Sequence, residues 1–168
     1  MFTTLAALGT IAVQIAIVVI IIGWIAKARF VSVVARHAGY ILAVLFTTAT
    51  ALSFVYQYGL GYAPCLLCWY QRIAIIPIAI LAWTANLRHS KLLQNQTLTL
   101  AVLGILVALV HVYIDVFPTG VDICGATGPS CLVRYVYEFG YITIPVMSLT
   151  TLAGGILLIL LAKRYPQE

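Results

Sequence analysis

The sequence predicts an all-α integral membrane protein, folded as a single helical bundle. Three observations carry the prediction. Of its 168 residues 64% are apolar and only 8% charged, and the mean hydropathy of +1.11 is far above what a water-soluble globule tolerates. Five apolar runs are long enough, at about 1.5 Å per residue, to cross a hydrocarbon layer of roughly 30 Å. The basic residues, finally, gather at one end of those runs.

The spans are expected at about Leu5 to Ala26, Ala38 to Tyr58, Leu66 to Thr84, Thr97 to Val116 and Tyr141 to Ala162. An unpaired backbone amide in lipid costs several kcal/mol, so each run should be a helix, and the short connections hold them in one bundle. Residues 1–168 are therefore read as one membrane domain, with a loop over 117–140 as its longest connection and no repeat or low-complexity segment. Residues 1–10 carry no charged side chain, and the positive charge comes only after the first run. A secretory leader places its positive charge before the apolar run, so this helix is expected to stay as an anchor.

Orientation follows from lysine and arginine, which stay cytoplasmic when they sit in short loops. Lys27, Arg29 and Arg36 lie between the first and second spans, Arg88 and Lys91 between the third and fourth, and Lys163 and Arg164 after the fifth. Only Arg72 and Arg134 fall towards the opposite side, with Asp115, Asp122 and Glu138. The N-terminus is expected outside and the C-terminus in the cytoplasm. Because every basic cluster flanks a span, topology and anionic lipid headgroups of the bilayer account for the net charge of +5, and nucleic-acid binding is set aside.

All four cysteines then face the outer, oxidising side, where disulfides persist. Cys65 and Cys68 form a C-x-x-C at a helix start marked by Pro64, where the positive end of the helix dipole favours a thiolate. Cys124 and Cys131 enclose GATGPS, whose two glycines and proline suggest an exposed, adaptable loop open to attack by another protein's thiolate. Arg72 falls about 18 Å above the cytoplasmic edge of its span, inside the hydrocarbon layer, where a charge is costly and marks a functional site. It follows Cys68 by four residues, which suits a guanidinium that stabilises a thiolate or polarises an oxygen of an apolar electron acceptor. His111 lies about 21 Å up the fourth span, at a similar depth. It either lines an acceptor pocket or packs as an ordinary buried histidine, and the residues alone leave both open. Gln71 and Tyr70 read as interfacial, and LVRYVYEFGY, with Arg134 and Glu138 at i,i+4, as a short bilayer-surface helix or an anchor for the fifth span. No histidine or acid accompanies the C-x-x-C locally, so no metal is expected there.

The run CLLCWYQR at the head of a membrane helix, with a second cysteine pair in the next outer loop, resembles the DsbB family of quinone-linked membrane enzymes that reoxidise a thioredoxin-fold, DsbA-like disulfide donor. The resemblance covers roughly residues 38–162, and the close second pair looks more like the shorter Gram-positive (BdbC-like) type. It implies a bacterial inner-membrane disulfide oxidase with a four-helix core, to which this chain adds one N-terminal helix. By that resemblance Cys65 and Cys68 are the quinone-coupled pair, Cys68 lies next to the quinone (ubiquinone or menaquinone) drawn from the membrane pool, and Arg72 is the quinone-site arginine. Cys124 and Cys131 then meet the partner, Cys124 being the sulfur attacked. A vitamin K epoxide reductase type enzyme uses the same parts, but there the loop pair precedes the C-x-x-C. A non-enzymatic, disulfide-containing subunit predicts neither bound quinone nor turnover.

Overall fold

A computed structural model describes residues 1–88, 91–117, 124 and 128–165. It contains five long α-helices: α1 (Phe2–Ile25), α2 (Arg29–Phe54), α3 (Leu66–Arg88), α4 (Lys91–Val116) and α5 (Ile144–Arg164). All five are long and apolar enough to cross a membrane. Among the described residues there is no strand, only an isolated bridge between Glu138 and Ile142. Asp122 and the Gly125–Thr127 part of the inter-cysteine segment lie outside the described residues.

Most helices overrun, at one end or both, the apolar stretches that announce them, while α5 starts three residues later than expected, at Ile144. α2 begins at Arg29 rather than near Ala38, because charged side chains at a helix end reach water while their backbone stays hydrogen-bonded. The turn before it is tight. Lys27 adopts φ +53°, Ala28 N–H donates to Gly23 O at 2.8 Å and Lys27 N–H to Trp24 O at 3.2 Å. This six-to-one, five-to-two pattern ends a helix through a left-handed residue. It folds α1 back antiparallel to α2, so the N-terminus of α1 stands at the cysteine end.

α2, α3, α4 and α5 pack in a ring, each against the next and α5 against α2, while α1 stands outside against α5 and α2. Small residues set the spacing, as they do where lipid tails give no hydrophobic drive to helix pairing. A Cβ on Gly155 would lie 2.5 Å from the Phe46 ring, and one on Gly104 would lie 2.9 Å from Ala74 Cβ. Phe46, Ile78, Ala108 and Leu152 fill the middle of the ring, each fully buried. Phe46 against Gly155 closes the seam between α2 and α5 in mid-bundle.

At its cysteine end α2 runs into a π turn, Val55–Gly59. Such a turn inserts an extra residue and redirects side chains, and recurs at functional sites. Residues 133–142 form no helix, contrary to one of the two readings of LVRYVYEFGY. Phe139 (φ +52°) and Gly140 (φ +78°) fold the chain back on itself, and Glu138 and Ile142 exchange backbone hydrogen bonds. With the i,i+4 register lost, Arg134 pairs with Asp115 of α4 rather than with Glu138: its Nε lies 2.6 Å from Asp115 Oδ1. Thr143 Oγ1 donates to Asp115 Oδ2 at 2.8 Å. One carboxylate thus ties α4, the loop and the start of α5 together.

Candidate active site

Cys65 occupies the cap position just before α3. Its Sγ accepts the Cys68 backbone N–H at 3.4 Å, the role a serine or aspartate oxygen usually fills. The C-x-x-C spacing therefore does two things at once: it caps the helix and brings the sulfurs together, 2.9 Å apart and unbonded. The Cys65 thiol is held below its ordinary pKa, first by the hydrogen bond from the Cys68 thiol, then by that from His111. Cys124 and Cys131 are joined in a disulfide.

His111, on α4, is buried and lies between the thiol pair and α3. One ring nitrogen, Nε2, is 3.8 Å from Cys65 Sγ, and Nδ1 is 3.2 Å from Gln71 Nε2. An amide nitrogen only donates, so Nδ1 accepts and the proton resides on Nε2, aimed at the Cys65 sulfur. Gln71 is therefore not interfacial: it is buried and fixes the tautomer of His111. Tyr70 is about half exposed. The C-x-x-C does have a histidine beside it, brought from 46 positions away, which local sequence does not reveal. Cys65 Sγ, a ring nitrogen of His111 and Cys131 Sγ all lie within 4.8 Å of one another. These are metal-ligand types, yet Cys131 is committed to its bond with Cys124.

The two cysteine pairs thus meet. This departs from the expected exposed loop pair: Cys124 is only 1% and Cys131 4% exposed, packed with Cys65, Leu67 and Cys68. The loop folds its disulfide onto the end of α3, because two sulfurs are better buried against apolar side chains than left in water.

Arg72 lies six residues into α3, about 9 Å below its start. It is 7% exposed. Its guanidinium donates to Ser53 O at 2.7 Å and to Gln57 Oε1 in the π turn, and lies over the Phe54 and Trp69 rings at 5.5 and 5.2 Å. Among the described residues no carboxylate lies within ion-pair distance of it. Neutral oxygens and ring faces soften the burial of this charge without cancelling it, so the site keeps a positive potential for an anion or a developing negative charge.

Cys65, Cys68, Arg72, His111 and Cys131 all line one cavity of about 150 Å³. Leu52, Ile75, Pro145 and Met147 supply apolar wall, and Tyr56 and Tyr62 stand at the cysteine end, Tyr62 stacked between Tyr56 and Tyr135. An apolar cavity of about this size admits a benzene ring in other proteins, so a six-membered ring fits. The sequence reading missed Ser53, Gln57 and the tyrosines. Gln57 alone carried a signal, as an amide inside an apolar span.

Residues 35–162 match the family model described as Disulfide bond formation protein DsbB. A probable disulfide formation protein of Chlamydia pneumoniae is 29% identical over 136 residues, covering 80% of this chain and 98% of its own. One from Metapseudomonas resinovorans is 34% identical over 126 residues, 73% of this chain and 86% of its own. Disulfide bond formation protein C of Bacillus subtilis is 29% identical over 109 residues, 64% of this chain and 78% of its own. No solved structure matches the chain.

Proposed function

Since the chain belongs to the DsbB family of disulfide bond formation proteins, we propose that this multi-pass membrane oxidoreductase reoxidises a thioredoxin-fold, DsbA-like partner and delivers the electrons to a membrane quinone. One observation carries the reading: sulfurs of both cysteine pairs converge on a single cavity that a buried arginine also lines. In the relay, a partner thiolate attacks Cys124 and the bond to Cys131 breaks; the partner's second thiol then attacks the mixed disulfide, the partner disulfide forms and Cys124 leaves as a thiol. The freed loop thiols reduce an oxidised Cys65–Cys68 pair, Cys131 being the sulfur within reach of Cys65. The Cys65–Cys68 dithiol is then reoxidised by transfer of two electrons and two protons to the quinone, giving quinol. The net change is partner dithiol plus quinone to partner disulfide plus quinol.

The chain's own groups divide that work. His111 aims its Nε2–H at the Cys65 sulfur, a hydrogen bond that favours negative charge there as the sulfur changes state. Arg72 favours negative charge on the Cys68 sulfur or on the acceptor oxygens. The apolar wall keeps water from the exchange while the lipid-soluble acceptor arrives from the bilayer.

Purified protein given a reduced thioredoxin-fold partner should reduce an added benzoquinone or naphthoquinone catalytically, monitored by quinone absorbance; a structural subunit gives no turnover. The reading also places the cysteine end on the outer face of a bacterial inner membrane and the basic end in the cytoplasm. Reporter fusions at Lys91 and at the C-terminus should both read cytoplasmic, and an outward signal at either site would put the cysteines on the reducing side and end the relay.

A further inference from the structure

α1 lies outside the family match, which begins at residue 35, yet it reaches the site. Ala6 and Thr10 line the cavity. Among the described residues, the long helices that α1 packs on are α2 and α5, so its contact with the cavity runs through the seam between those two. Phe46 against Gly155 closes that seam in mid-bundle. Nearer the cysteine end it is bordered by Ala49 and Ser148, and α1 covers it.

α1 is held there by directional bonds as well as by packing. It is the most apolar of the five helices, with a mean hydropathy of 2.8, but it carries Gln14. An unpaired amide in lipid costs several kcal/mol. Both ends of this one are satisfied: Gln14 Nε2 donates to Thr150 Oγ1 at 3.0 Å and Gln14 Oε1 accepts from Tyr141 Oη at 2.8 Å. Thr4 Oγ1 donates to Glu138 Oε1 at 3.3 Å, and the Phe2 and Tyr56 rings meet edge to face at 5.7 Å. These contacts fix the register of α1 on α5 and place Ala6 and Thr10 opposite the opening. The Thr10 hydroxyl is taken up by Ala6 O at 2.9 Å, which leaves a wall with no free donor.

We propose that α1 is the fifth wall of the electron-acceptor site, with Ala6 and Thr10 setting by shape the room left for the quinone ring. The proposal rests on the quinone reading above. It makes the added helix part of the binding site rather than an anchor alone, and the small side chain at position 6 the feature that sets the size limit.

Photoaffinity labelling of the full-length protein in lipid with an azido-benzoquinone, followed by peptide mapping, tests it without requiring a variant. Adducts within residues 6–10 that excess unlabelled quinone suppresses are the expected result. Ala6→Leu, which moves the wall inward, should raise the quinone concentration needed for half-suppression about tenfold, the usual scale of one overpacked side chain. Suppressible adducts confined to α2–α5 overturn the proposal and leave the quinone reading standing. Adducts spread along lipid-facing Ile15, Val18 and Ile22 and indifferent to competitor also overturn it. No suppressible adduct anywhere in the chain refutes the quinone reading itself.

Discussion

Replacing Arg72 with alanine should lower kcat/KM for the quinone about a hundredfold, the effect of deleting one preorganised charged donor from a dry site. The protein should remain inserted, and Cys65 and Cys68 should still form a disulfide with a chemical oxidant, because the helix cap that brings them together does not involve Arg72. Arg72→Lys should recover only part of the loss. A single ammonium cannot hold Ser53 O and Gln57 Oε1 at once while lying flat between Phe54 and Trp69. Gln57→Ala, which removes one anchor and keeps the charge, should cost less than Arg72→Ala. Unchanged quinone kinetics in an inserted Arg72→Ala protein would refute the role given to this residue.

Replacing Cys131 with serine should convert the passing encounter with the partner into a covalent complex. In that variant Cys124 is a free thiol. Mixed with the oxidised, disulfide form of a thioredoxin-fold partner, it attacks one partner sulfur, the partner disulfide breaks, and the other partner thiol is released. This is the same Cys124–partner bond that the forward reaction forms, reached from the opposite side. With no Cys131 to close the loop disulfide, the adduct should build up and appear after acid quench on a non-reducing gel, with peptide mapping placing it at Cys124. The Cys65–Cys68 pair, whose sulfurs face Arg72's cavity independently of Cys131, should still react with quinone. The burial of the loop pair adds an expectation: adduct formation at Cys124 should be slower than at an exposed thiol. If the adduct maps to Cys65 or Cys68, the partner bypasses the loop, and the division of work between the two pairs fails.

The sequence by itself determined that this chain forms a bundle of membrane helices, because continuous apolar runs in lipid leave the backbone no other way to satisfy its hydrogen bonds. It also singled out candidate residues whose signal is local. Cys65 and Cys68 cap and open one helix, and Arg72 betrays itself by sitting in an apolar span where a charge is costly. Helix ends were less legible, since the charged residues that begin α2 belong to the helix although they do not belong to the hydrocarbon layer.

Only the tertiary structure decided which of these residues meet. His111 reaches Cys65 from 46 positions away, Asp115 takes Arg134 from the loop, and Gln57 enters the site through a π turn, none of which has a period that sequence can display. The loop pair reads as exposed from its glycines and proline, yet packing buries it, because the end of α3 offers an apolar seat that composition does not record. The same holds for α1. As a run of apolar residues it is indistinguishable from a plain anchor; Gln14, bonded at both ends of its amide to α5 and the segment before it, is what docks it over an open seam and turns its small residues into a wall.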